Sequence, residues 1–167
     1  MKPMIETVKR MIRDQRFCVL ATEGSGAPHC SLMSFAVKTP ELDLVMVTPK
    51  ASRKWSNILL NPRVSLLLDD RAGAAEKDAG GTKALTLTGR AEPVEPGDLE
   101  SKAKDLLVSV HPELADFLSD PGSVVFLVRP ESYQLLMGPG KHTPAPCRGD
   151  ACVAPTPVPA GAGPFLS

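Results

Sequence analysis

The sequence predicts an α+β, mainly β chain: a small antiparallel barrel of about six strands with short flanking helices. Three observations carry that prediction. Apolar runs of strand length, bounded by Gly, Pro, Asn and Ser, recur along the chain. Clear helical periodicity is confined to a few stretches, the clearest at the N-terminus. The segment from Val45 to Leu68 places a β-branched run, a turn, a short helix, Asn-Pro and a second apolar run in immediate succession.

The elements follow in order. Met4, Ile5, Val8, Met11 and Ile12 fall on one face at helical spacing, so residues 3–14 form an amphipathic helix. Phe17–Thr22 is a strand, Glu-Gly-Ser-Gly-Ala-Pro a turn cluster, and Pro28–Val37 a second strand pairing with the first. Thr39-Pro-Glu turns the chain into Leu42–Val47. After Thr48 a short turn leads to Ser52, which opens a helix whose first residues are Arg53 and Lys54. That helix stops near Leu60, because Asn61 precedes Pro62 and pre-proline residues avoid the α region. Val64–Leu68 is a strand. Residues 70–83 are polar and Gly/Ala-rich, with Gly80-Gly81 near the end, and read as a mobile loop. Ala84–Val94 is a strand, Gly97–Val110 is mostly helical, Pro112–Leu118 adds a helical turn or two, and Val124–Val128 and Ser132–Met137 close the sheet.

Composition sets bounds on function. With 167 residues and 43% hydrophobic content, the chain can bury one core, assigned to a domain over 1–137. Residues 138–167 hold seven Pro and five Gly but only Lys141, Arg148 and Asp150 as charges, the composition of a linker or tail. Formal net charge is zero, without the basic face a nucleic-acid partner requires. No apolar stretch approaches the roughly 18 residues that span a bilayer. The charged N-terminus lacks the apolar core of a signal peptide, so a cytoplasmic location is expected. Four cysteines do not make a disulfide scaffold.

The start of the 52–60 helix is the chemically suggestive place. A helix start leaves backbone N–H groups unpaired and is partly positive. Thr48, Ser52, Arg53 and Lys54 converge there, and a phosphate wants such donors and compensating charge. Ser-Arg-Lys alone would be an ordinary capped helix with solvated cations; the strands and the Asn-Pro around it change that reading. Other candidates carry less. His142, Cys147 and Cys152 match no standard zinc spacing, so unbound thiols and no metal are expected. His29 and Cys30 are strand neighbours on opposite faces and form no dyad. Asp69 and Asp70 read as a solvated strand end, His111 as a residue joining helices, and Trp55 as packing on the barrel. There is no Walker-type phosphate loop, and no catalytic residue is assigned.

The stretch Thr48–Leu68 resembles the phosphate-binding segment of the pyridoxamine 5'-phosphate oxidase-like family, the FMN-binding split barrels. That segment usually runs as a strand ending in Thr, then Ser-Arg-Lys, a short helix, Asn-Pro and an apolar strand. The resemblance extends over roughly residues 5–137, including the Thr-Gly-Arg-Ala-Glu pattern within Leu85–Val94 and a final strand in Arg129–Gly138. It implies a six-stranded antiparallel split β-barrel. Arg53 and Lys54 would hold the FMN phosphate, assisted by Ser52 and Thr48. Val47 would place backbone near the ribityl chain, and Ser31, Leu32, Met33 and Ser34 would run along the flavin ring. It also implies a homodimer with the flavin at the subunit interface, and NAD(P)H or a redox protein as electron donor.

Departures from the oxidase itself are equally informative. Ser31 stands where the oxidase has an Arg, Ala36 near its Lys, Ala84 at its ring-facing Gln and Leu136 near its Trp; Lys141 and His142 are loose counterparts of its final basic residues. The set that recognises pyridoxal phosphate is missing, so vitamin B6 oxidation is not predicted. The expectation is a flavoprotein, an FMN-dependent oxidoreductase of unidentified substrate. The alternatives are an FMN carrier or electron-transfer protein without its own substrate, and a haem- or deazaflavin-binding relative.

Overall fold

The computed structural model of the chain describes residues 2–70, 83–137 and 142–143. Helix α1 spans Lys2–Asp14 and leads into a hairpin of β1 (Phe17–Gly24) and β2 (Ala27–Ser34). Its two turn residues, Ser25 and Gly26, both have positive φ (57° and 78°). Such a turn matches the twist of the strands it joins. β3 (Ala36–Lys38) and β4 (Asp43–Pro49) follow, then α2 (Arg53–Leu60), β5 (Arg63–Asp69) and β6 (Lys83–Pro93). Helix α3 (Asp98–Val110), a 3-10 turn (Pro112–Leu114) and α4 (Ala115–Ser119) precede β7 (Ser123–Met137) and the two-residue β8 (His142–Thr143).

Every pairing is antiparallel and the strand order is β2-β1-β5-β6-β7-β4-β3, with β8 added to β7. The two outer strands of this curled sheet, β2 and β3, are successive pieces of one run of chain joined by Phe35. The split of the barrel lies between these two edges, which do not pair with each other.

One predicted strand divides and two others merge, changes that cancel in the count, and the added β8 brings the total to eight among the described residues, against about six expected. The single run Pro28–Val37 breaks at Phe35. Its N–H donates to the Arg16 carbonyl (3.1 Å), its own carbonyl accepts from His111 Nε2 (3.0 Å), and its ring is fully buried. Those bonds take Phe35 out of either ladder. Conversely, the separate runs Val124–Val128 and Ser132–Met137 are one strand. Gly89 faces Pro130 while Thr88 faces Ser132, so Glu131 is the extra residue of a bulge. A bulge is where a strand tolerates a proline, which has no N–H to donate. A Cβ on Gly89 would stand 2.2 Å from the Arg129 carbonyl oxygen, so the bulge requires glycine there.

The core has two parts divided by β4. Leu44 and Met46 point into the barrel with Leu20, Phe35, Leu66, Leu87 and Phe126, joined by Val8, Met11 and Ile12 of α1 and by Trp55 and Ile58 of α2. Val45 and Val47 point outward beneath α3 and α4, against Ala103, Leu107, Leu118 and Val125. Burial on both faces explains why β4 reads as an unbroken apolar run. His111, fully buried at the end of α3, joins that layer to the Phe35 break, with Nδ1 3.1 Å from the Glu113 carboxylate and its ring edge-on to Phe17. This matches its predicted joining role. Among the described residues no helix is long and apolar enough to cross a membrane. The predicted loop 70–83 falls, from residue 71 to 82, outside the described residues, as does most of the 138–167 tail, including Cys147 and Cys152.

Candidate functional site

β4 delivers Thr48 to the barrel rim, and the chain turns sharply there, with the Ser52 N–H donating to the Pro49 carbonyl at 3.0 Å. Ser52 is extended (φ −75°, ψ 148°) and is the N-cap of α2, its Oγ accepting from the Trp55 N–H at 3.3 Å. The Thr48 hydroxyl, buried, lies 3.0 Å from the Ser52 hydroxyl. Arg53 and Lys54 occupy the first helical positions; Arg53 is exposed, Lys54 half-buried, and neither pairs with any described acid. Trp55 anchors the helix from below, its ring 5.8 Å from that of Phe126. The predicted stop is observed: Asn61 is extended (φ −141°, ψ 101°) and its N–H closes the helix on the Asn57 carbonyl.

Two asparagines fasten α2 to the β1–β2 hairpin. Buried Asn57 donates through Nδ2 to Thr22 Oγ1 (3.1 Å), and Thr22 Oγ1 in turn donates to the His29 carbonyl on β2 (3.4 Å). Gly24 leaves the room Asn57 needs, since a Cβ there would lie 2.3 Å from Asn57 Oδ1. Asn61 donates to Glu23 Oε2 (2.8 Å) while Glu23 Oε1 accepts from the Gly26 N–H (2.6 Å). These bonds favour the carboxylate and hold Glu23 below its usual range, Asn61 having the largest effect. Of these residues only Asn61 stood out in the sequence, and then as the helix stop rather than as a link to the hairpin. The available signal was an asparagine in the interior of an otherwise apolar helix, where its propensity is poor.

On β2 the predicted quartet divides by face. Ser31 and Met33 pair with the inward-facing Leu20 and Cys18, whereas Leu32 and Ser34 face outward. Met33 is buried, so only its backbone is available, while Leu32 is 73% exposed. His29 shares the inner face with Ser31, Nε2 to Oγ 3.3 Å. Val47 has its side chain buried beneath α3 and α4 and likewise offers only backbone. The hairpin fastening brings β2 beside α2, and β4 carries Val47 and Thr48 into the same rim.

Elsewhere, Asp70 is more than a solvated strand end. Its Oδ1 accepts from the Lys83 N–H (2.7 Å) and Oδ2 lies 3.8 Å from Lys83 Nζ, clasping the ends of β5 and β6. Burial pushes the Cys18 thiol up to about 12, whereas Cys30 is exposed. No group of three or more metal-ligating side chains occurs among the described residues.

Fold and rim together define a small split antiparallel barrel with a helix start furnished with two hydroxyls and two cations. The sequence model of pyridoxamine 5'-phosphate oxidase matches residues 4–137, and the chain belongs to the pyridoxamine 5'-phosphate oxidase-like family. No curated protein matches the sequence. Among solved structures, a heme binding protein from Mycobacterium smegmatis is similar at a TM-score of 0.70 and 19% identity, over 82% of this chain and 56% of that one. The heme storage protein HutZ from Vibrio cholerae aligns at 0.66 and 22%, covering 80% and 93% of the two chains. An FAD-binding protein from Mesorhizobium loti aligns at 0.65 and 20%, covering 78% and 90%. At these identities the likeness speaks for the fold.

Proposed function

We propose that this chain binds FMN, with the phosphate at the α2 start, and acts as a flavin-dependent oxidoreductase. The observation that carries the reading is the hydroxyl pair Thr48–Ser52 beside two cations that no described acid neutralises. If Thr48 donates to Ser52, the Ser52 oxygen accepts both that bond and the Trp55 N–H, and its own hydrogen is left to donate to a phosphate oxygen. Arg53 and Lys54 then supply charge-assisted contacts, and the first N–H groups of α2 supply neutral ones. Bound FMN would supply the hydride and electron chemistry. The chain's own part is to hold the phosphate and to lay β2, Ser31 to Ser34, along the ring. Ser31, Ala36 and Ala84 put no charge or amide where the B6 oxidase has them, which supports a different substrate. NAD(P)H or a redox protein is the proposed electron donor. The free thiols Cys18 and Cys30 suit a reducing, cytoplasmic setting.

The same reading includes a homodimer with flavin at the interface. Leu32, Val19 and Leu67 are in register across β2, β1 and β5, and both leucines are exposed on the outer face. An apolar row on a sheet face supports an association surface there. Leu32→Asp combined with Leu67→Asp should convert a dimer to a monomer in sedimentation, with a parallel loss of bound flavin. A wild-type monomer would remove this part of the reading.

The visible spectrum of purified protein, with the released chromophore identified by mass, tests the function. FMN supports the reading. Haem, which the two heme-binding structural relatives make the second reading, or a deazaflavin would move the function to another branch. A colourless protein that also refuses added FMN would overturn it.

A further inference from the structure

At the far end of β4 from the phosphate corner lies a second recess, formed between α1 and the barrel. Leu42 precedes β4 and Thr48 is its penultimate residue, six extended residues and so about 20 Å apart. The recess is a cavity of about 340 Å³ walled by Ile5, Val8 and Ile12 of α1, Leu42, and Leu87 and Tyr133, which face one another across β6 and β7. It adjoins the bulge at Pro130 and Glu131. Bulges often accompany sites, because they re-aim neighbouring side chains.

The Tyr133 hydroxyl is buried and has no hydrogen-bond partner among the described residues. Leaving a buried hydroxyl unpaired is costly, and an apolar wall offers it nothing. Burial also holds the phenol above its ordinary range, so it is a neutral donor at physiological pH. At the opening, Glu41 and Glu131 are exposed, and Lys9, the one cation among the described residues lining the cavity, is engaged by Glu6 at 3.3 Å. With that cation already engaged, little at the opening attracts a carboxylate or a phosphate. The remaining chemistry is an uncharged apolar body with one oxygen acceptor, and the volume sits at the small end of ligand pockets.

We propose that this cavity is a binding site for a small neutral carbonyl compound, an aryl or cyclic ketone or aldehyde of about ten heavy atoms, whose oxygen accepts the Tyr133 hydrogen bond. The site is separate from the phosphate corner and does not depend on the flavin reading.

Titration of the full chain with acetophenone and with α-methylstyrene, which replaces the carbonyl oxygen by CH2 at nearly constant shape, tests it by backbone amide NMR shifts. Acetophenone should bind about tenfold more tightly, the effect of one satisfied hydrogen bond. Tyr133→Phe, which removes only an unpaired hydroxyl and should fold normally, should abolish that preference by weakening acetophenone and leaving α-methylstyrene unchanged. Ile5→Trp, at the half-open edge, should block both. Four results would overturn the proposal: no saturable shift with either compound, equal affinities, a preference that survives Tyr133→Phe, or undiminished binding in Ile5→Trp. A site filled by water alone gives the first of these.

Discussion

Replacing Arg53 and Lys54 together by alanine is expected to weaken FMN binding by at least about a hundredfold. Each charge-assisted contact to phosphate contributes about 1.5–3 kcal/mol. Two contacts together amount to about 3–6 kcal/mol, roughly two to four decades of affinity. The fold should not suffer. Neither side chain has an ion-pair partner among the described residues, and both stand at the helix end whose dipole is already positive. The native pair is thus mildly unfavourable for α2, a cost that the proposed phosphate would offset. Flavin fluorescence titration reads the affinity and thermal melting reads the fold. An unchanged melting temperature with lost affinity is the expected pattern; stoichiometric flavin in the double variant would refute the site.

Gly89→Ala should lower stability by about 3 kcal/mol or more, about 6–12 °C in melting temperature for a chain of this size. The added Cβ would meet the Arg129 carbonyl oxygen at 2.2 Å, its carbon at 2.9 Å and Pro130 Cα at 3.1 Å. All three are backbone atoms of β7, and no rotamer can move them aside. Nor can β7 slide. On one side it is registered against β6 from Lys83 to Pro93, and on the other its first half is held by β4. Arg129 itself spans Glu92 (3.2 Å) and Asp43 (3.8 Å). Gly26→Ala makes a useful contrast. Its φ of 78° carries the left-handed cost of about 1–2 kcal/mol, but nothing lies within 4 Å of the new methyl. Equal losses in the two variants, measured by denaturant unfolding, would contradict the steric argument.

The geometry of the proposed phosphate corner was legible because all of it is local. Strand exit, N-cap serine, paired cations and the Asn-Pro stop lie within fifteen residues, Thr48 to Pro62, and each acts through its immediate backbone. Helix α1 was legible for a similar reason: burial of Val8, Met11 and Ile12 against the barrel is written in their spacing. The exposed β2 positions were only half legible. Alternation places Leu32 and Ser34 opposite Ser31 and Met33, but it does not say which face is covered.

By itself, then, the sequence determined the mainly β class, the order of most elements and the helix start at which charge and hydroxyls collect, because those depend on periodicity, turn chemistry and capping. Tertiary structure decided the rest. Phe35 leaves its strand because Arg16 and a histidine 76 residues further along the chain claim its backbone. β7 runs unbroken through Pro130 because Gly89, on another strand, gives it room. Asn57 holds the hairpin because Thr22 lies in its reach, and Tyr133 is left unpaired because α1 covers it without offering a partner. In each case the deciding atom comes from a distant part of the chain. No local pattern encodes such an encounter, because it exists only once the barrel has closed.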